Sequence, residues 1–181
     1  MYTTISQIEY YLGIEFDTAF HNQVEEWISE IEVYINNLTR TKFEADETDQ
    51  EYYYDGNNRD ILFIDDFISV SSVELGDWDG TNMQVIEPVI APNRIPKYKL
   101  VYNCFTKGVQ NVKIIGRQGY SETAPKDIQR AATILTAGVI HKEGAKEKES
   151  LGDYSVSYKS ERGISDFENA LKIINAYQKN V

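Results

Sequence analysis

The chain has 181 residues and a mass of 20.8 kDa, enough for one domain or one core with a sizeable insertion, and enough to bury a hydrophobic core without staples. Apolar residues make up 41% and charged residues 26%; a single cysteine, Cys104, excludes an internal disulfide framework, and two histidines, His21 and His141, leave little material for a zinc site or a histidine-based catalytic apparatus. The 29 acids and 18 bases give a net charge of −11, which argues against nucleic-acid binding by phosphate neutralisation.

Ser6 to Leu12 reads as a short helix with Ile5, Ile8 and Leu12 on one face, broken by Gly13. Asp17 or Thr18 then caps a longer helix whose apolar positions Val24, Trp27, Ile28, Ile31, Ile35 and Leu38 form one stripe, ending near Thr39 to Thr41. From Phe43 to Tyr120 the chain is rich in β-branched and aromatic residues and punctuated by turns. Strands are expected at Glu51–Tyr54, Ile61–Ile64, Val70–Leu75, Met83–Ile86, Tyr98–Tyr102 and Val112–Ile115, roughly six antiparallel strands in all. Asp55-Gly56-Asn57-Asn58 reads as a hairpin turn joining the first two, and Asp65-Asp66 as a turn before the third. Asp79-Gly80 is another turn, and Pro88, Pro92 and Pro96 mark a loop, because proline cannot donate to a ladder.

Helix returns at Pro125, with a narrow apolar stripe of Ile128, Ala131, Ala132, Leu135 and Val139. Gly144 to Glu149 reads as a charged linker, Asp153 to Tyr158 as an edge strand with Tyr154, Val156 and Tyr158 on one face. Ser165-Asp166-Phe167-Glu168 reads as a capping box opening a last helix, with Phe167, Ala170, Leu171, Ile174 and Tyr177 as its buried stripe. The expected fold class is α+β: a small bundle of about four helices from residues 1–43 and 121–181, with an antiparallel β domain inserted over residues 44–120.

Charge is unevenly distributed. Met1 to Glu87 carries −17 and Pro88 to Val181 carries +6. Such asymmetry lets an acidic patch on one copy meet a basic patch on the next, and head-to-tail contacts of that type generate rings. An acidic surface also lets DNA pass without specific binding, because like charges repel.

No catalytic constellation emerges. Asp77-Trp78-Asp79-Gly80-Thr81-Asn82 begins like a calcium loop, but its glycine falls two places early and Pro88 stands where the bidentate glutamate belongs. Asp65 and Asp66 could serve acid/base work only if they converged, and adjacent residues on a strand would point to opposite faces, so the turn is the favoured reading. Gly116-Arg117-Gln118-Gly119 lacks the ending of a phosphate loop, Cys104 reads as a buried inert thiol, and His141 as a plain residue near a helix end. The expectation is a non-enzyme with no cofactor, no metal site and no membrane segment. Its N-terminus lacks the pattern of a signal peptide, and the run Ala131 to Ile140 is too short to span a bilayer. Thirteen tyrosines suit an interface, since tyrosine brings large contact area with a polar tip, and they equally suit strands.

Three passages together resemble the head–tail connector (portal adaptor) proteins of tailed bacteriophages. Ile35-Asn36-Asn37-Leu38-Thr39-Arg40-Thr41-Lys42-Phe43, closing the N-terminal helix pair before an acidic run, is similar to that family's helix followed by a YTGRxF passage. Val112-Lys113-Ile114-Ile115-Gly116-Arg117-Gln118-Gly119-Tyr120, with Pro125, Ile128 and Ala131 following, resembles its V-x-x-x-G-x-x-G-Y … P-x-x-I-x-x-A pattern. Glu149 to Tyr158 looks like its E-S-x-G-D-Y-S-x-x-Y segment. Many such connectors are shorter and nearly all helical, so the long β insertion is a departure. The resemblance implies a structural protein of the virion neck, assembled in the host bacterial cytoplasm, forming a ring of about twelve copies beneath the portal protein, extending the DNA channel and docking the stopper or tail-completion protein. Alternatives are another neck protein (a stopper or tail-completion protein) and a tyrosine-rich β module binding glycan or peptide. The candidate subunit or portal interface is Tyr154, Val156 and Tyr158 on the edge strand with Lys142, Lys146 and Lys148 beside it, because an unpaired strand edge invites another chain.

Overall fold

A computed structural model describes residues 1–93, 95–148 and 160–178. Its elements run α1 (Ile5–Leu12), α2 (Thr18–Thr39), β1 (Gln50–Tyr54), β2 (Arg59–Leu75), β3 (Gln84–Ile86), β4 (Val89–Ala91), β5 (Lys97–Phe105), β6 (Val112–Gln118), α3 (Lys126–Lys148) and α4 (Ser160–Ala176). The fold is α+β, with the helices and a six-stranded antiparallel sheet in two compact units: residues 1–40 with 124–181, and residues 41–123.

In the helical unit, local chemistry sets the helix starts. Thr4 caps α1 in a full capping box with Gln7, and Gly13 closes it in the left-handed region at φ 69°. Asp17 caps α2 by accepting from the Ala19 N–H at 3.1 Å. Ile8, Val24, Ile28 and Ile140 form a core, with Phe16, Phe20 and Trp27 packed on it. Helix α3 packs against α1, α2 and α4. That explains why residues 131 to 137 are all buried, where periodicity predicted a narrow stripe: three neighbours cover three sides, and Ala131, Ala132 and Ala137 let them approach closely. Thr133 and Thr136 tolerate burial because their hydroxyls bond the carbonyls of Gln129 and Ala132, at 2.9 Å each.

Three helical expectations are corrected. The expected linker at Gly144–Glu149 is helical as far as Lys148, since Lys, Glu and Ala are strong helix formers and one glycine costs only about 1 kcal/mol. His141 accordingly sits seven residues before that end. The expected capping box at Ser165 lies inside α4, which begins at Ser160; Ser165 is therefore not a cap, and Phe167 is 46% exposed while Ala170 and Ile174 are buried.

The sheet has strand order β1-β6-β2-β5-β4, with β3 also on β2. The two strands expected at Ile61–Ile64 and Val70–Leu75 are one 17-residue strand, β2, and Asp65-Asp66 is not a turn. Register shifts between Phe63 and Phe67, and again between Phe67 and Ser69, bend the strand in place of breaking it. Its first half pairs with β5 and its second half with β6 and β3, so Phe67 sits at the bend with Leu62, Ile64, Val73, Leu100, Phe105, Val112 and Ile114 in one core. The expected β1–β2 hairpin does not form. Gly56 N–H donates to Asn111 Oδ1 at 2.8 Å and Asn58 N–H to the Phe105 carbonyl at 2.7 Å, which ties the turn to β5 and β6, and β1 pairs with β6. The proline-marked loop contains a short strand, β4, flanked by Pro88 and Pro92 at the sheet edge, where missing donors are tolerated.

Candidate interaction surfaces

The residues nominated from sequence fall awkwardly. Tyr154, Val156 and Tyr158 lie outside the described residues, so the expected edge strand is not among the elements above. Lys142, Lys146 and Lys148 occupy the last two turns of α3, not a linker, and their side chains are outside the described set. Surfaces that can be built atom by atom lie elsewhere.

Several tyrosines donate to the chain's own acids. Tyr54 OH donates to Asp65 Oδ2 at 2.9 Å, Tyr53 OH to Glu51 Oε2 at 2.8 Å, Tyr11 OH to Asp166 Oδ2 at 3.0 Å and Tyr177 OH to Asp127 Oδ2 at 2.9 Å; Tyr52 OH donates to Asp46. A phenol is a donor and a carboxylate accepts only, so an acidic chain stabilises tyrosines on its surface. Burial, then the bond to Asp46, pushes the Tyr52 phenol well above its ordinary value of 10.0, and burial, then the charge of Asp65, does the same for Tyr54. Asp46 moves the opposite way: burial would raise it, but its bonds from Lys42 and Tyr52 outweigh burial and hold it below the usual carboxylate value.

At one end of the sheet three loops are knit around Asn111, which is fully buried. Its Oδ1 accepts from Gly56, its Nδ2 donates to the Thr106 carbonyl at 2.9 Å, and its carbonyl accepts from Gly76 at 2.8 Å. Val109 N–H donates to the Trp78 carbonyl at 2.8 Å, and the two side chains stand 63% and 72% exposed. The Asp77–Asn82 segment closes on itself, with Gly80 N–H donating to the Asp77 carbonyl at 3.0 Å and Asn82 Nδ2 to Asp77 Oδ2 at 2.6 Å; it is a turn that presents Trp78. The sequence reads here as a turn and not a calcium loop, which holds; it gave no role to the exposed Trp78, whose signal is a large aromatic inside a turn.

At the other end the chain enters and leaves the sheet unit side by side. Tyr120 N–H donates to the Lys42 carbonyl at 2.9 Å, Ala45 N–H to the Ser121 carbonyl at 3.0 Å and Asp46 N–H to the Gln118 carbonyl at 2.9 Å, with Phe43 and Tyr120 rings 5.8 Å apart. Arg117 clamps the seam, its Nε on the Asp46 carbonyl at 2.7 Å and its guanidinium bidentate on Glu122 at 3.0 and 2.7 Å. Two glycines from the sequence pattern allow close backbone approach, Gly119 at this seam and Gly116 where β6 pairs with β2. A Cβ on Gly116 would lie 2.4 Å from the Ser69 carbonyl oxygen, and one on Gly119 (φ 153°) would lie 2.3 Å from Ala45 Cα.

Among the described residues no group of three or more His, Cys, Asp and Glu side chains gathers to hold a metal, and no helix is long and apolar enough to cross a membrane. Cys104, expected buried, is half-exposed on β5 with its Sγ 3.7 Å from Asn58 Oδ1.

No protein-family model and no curated protein matches the sequence. Solved structures do match the fold. A chain in the neck of an empty GTA particle, computed with C6 symmetry, superposes with a TM-score of 0.64 at 11% identity, over 98% of this chain and 89% of that one. The chain shares its fold with a component of that neck structure. A chain of the virion of a native gene transfer agent (GTA) particle gives 0.62 at 11% identity over 97% and 88%, and one in the neck of a native GTA particle with C12 symmetry gives 0.55 at 11% over 98% and 88%. Coverage that complete takes in the sheet unit as well as the helices, so the β insertion that departs from the shorter connectors has a counterpart there.

Proposed function

We propose that this chain is a non-enzymatic structural protein of the neck of a tailed phage or phage-like particle, and within that class a portal adaptor. It forms a ring of about twelve copies below the portal protein, extends the DNA channel without specific DNA contacts, and docks the next neck component, a stopper or tail-completion protein. The observation that carries this reading is the fold shared over 98% of the chain with chains of neck structures solved with C6 and C12 symmetry. Compatible with it are the −11 net charge, which repels passing DNA, and the exposed Trp78–Val109 loop end, the kind of aromatic anchor that protein partners bury. The glycan- or peptide-binding alternative loses support because Tyr52, Tyr53 and Tyr54 are engaged by Asp46, Glu51 and Asp65.

The test is quantitative mass spectrometry of purified tailed particles, counting this chain against the portal protein. Near-equal copy numbers are expected. A few copies per particle would favour tail completion, and absence from particles would overturn the neck reading.

A further inference from the structure

The half-sheet β2–β5–β4 has two faces of opposite character. Leu62, Leu100 and Ile90 stand opposite one another in register and point into the core, Leu62 and Leu100 being buried. The neighbouring rows point the other way, because successive strand residues alternate faces. One row is Ile61–Val101–Val89 and the next Phe63–Lys99–Ala91. Phe63 is 69% and Val89 66% exposed. The one charge in these rows is Lys99, which has no ion-pair partner among the described residues, while Asp65 follows two residues beyond Phe63 on β2. An apolar sheet face with a single lysine among its rows is a binding surface for an apolar partner that brings an acid to that lysine.

The same chain displays such a surface. On α2 the buried residues Val24, Ile28 and Ile35 define one side. Glu26, Glu30, Val33, Tyr34 and Asn37 share the opposite side at helical spacing, all exposed, Val33 at 55% and Tyr34 at 46%. Residues 1–40 contain seven acids and one base, so nothing basic on α2 competes for these glutamates.

We infer that the outward face of α2 of one copy packs on the outer face of the β2–β5–β4 half-sheet of a second copy, with Val33 and Tyr34 against Phe63 and Val89, and Glu26 and Glu30 toward Lys99. A helix laid on an exposed apolar sheet face is the ordinary way such a face is covered. Because the two surfaces differ, the contact is heterologous and propagates from copy to copy, as a ring requires. The inference rests on the ring reading above and names the surfaces that would build it.

The experiment introduces Val33→Cys and Phe63→Cys together in a Cys104→Ser background and oxidises the protein, both free at high concentration and in purified tailed particles. Covalent multimers in steps of the 20.8 kDa chain are expected. A mixture of the two single-cysteine variants is expected to give the dimer, and Tyr34→Cys with Val89→Cys supplies a second pair should the first disturb folding. Lys99→Glu is expected to lower the multimer yield roughly fivefold, and Lys99→Glu with Glu26→Lys and Glu30→Lys to restore it. No multimer in either setting, or a charge reversal without effect and without rescue, overturns this contact. If particles hold the chain in portal stoichiometry yet give no multimer, the contact fails while the neck reading stands; if multimers form but particles lack the chain, the neck reading fails while the contact stands.

Discussion

Gly119 shows how tightly single residues are constrained at the mouth of the sheet unit. With φ at 153° and the backbone of Ala45 against its Cα, any side chain meets main-chain atoms that cannot rotate away. Gly119→Ala is expected to cost about 2–4 kcal/mol, read as a lower urea midpoint with unchanged slope. Gly116→Ala is expected to behave similarly, since it meets the Ser69 carbonyl. Tyr52 and Tyr54 set a pH dependence. Their phenols ionise in the folded chain well above 10.0, the value they regain on unfolding. A raised folded-state value favours the protonated form, so their contribution is fully present below pH 10 and is lost as pH rises beyond it through the folded-state values. Thermal stability is therefore expected to fall above about pH 10, with less of a fall in the Tyr52→Phe, Tyr54→Phe double variant. Phenolate absorbance in the folded protein should show a late-titrating fraction that shrinks in the double variant. A wild-type and a double-variant profile that coincide would refute the assignment.

Helix α3 and strand β2 carry the argument at the scale of elements. Each is the hub of its unit, and each looked simpler in sequence. The apolar stripe on α3 pointed to one partner, whereas α1, α2 and α4 all pack on it; burial all round came from alanines and threonines, which hydropathy patterns read as neutral. Ala132→Leu is expected to cost about 1–3 kcal/mol through overpacking, measured by chemical denaturation. In β2, the Asp65-Asp66 pair looked like a break because acids are rare in strands. Tyr54 on β1 donates to Asp65, and the bulge there turns the strand's direction without ending it. Hydrogen exchange is expected to show slow amides from Leu62 to Val73 as one block. Fast exchange confined to residues 64–67 would restore the turn.

At the scale of the whole molecule the sheet unit has a core of its own. Leu62, Phe67, Leu100, Phe105 and Ile114 are contributed from within residues 41–123, and the segments at its two ends hydrogen-bond to each other through Lys42, Ala45, Asp46, Gln118, Tyr120 and Ser121. A fragment of residues 41–123 is expected to fold by itself, giving a β-type circular dichroism spectrum and a cooperative melt. A fragment without a cooperative transition would show that the unit depends on the helices.

Sequence by itself determined the α+β class, the two N-terminal helices with a cap at Asp17 or Thr18 and a break at Gly13, and the strand-rich stretch between them and the return of helix after Pro125, because these are set by periodicity and by local backbone chemistry. It also determined the charge asymmetry, which is arithmetic. Tertiary structure decided which strand pairs with which. β1 chose β6 over its neighbour in sequence because Gly56 and Asn58 bond to Asn111 and Phe105, residues some fifty positions away. It decided that Tyr52, Tyr53 and Tyr54 bond the chain's own carboxylates, and that Phe63, Val89 and Lys99 share one sheet face while Glu26, Glu30 and Val33 share a face of α2. Such groupings depend on register between distant segments, and register is fixed by packing and long-range hydrogen bonds that no local pattern encodes.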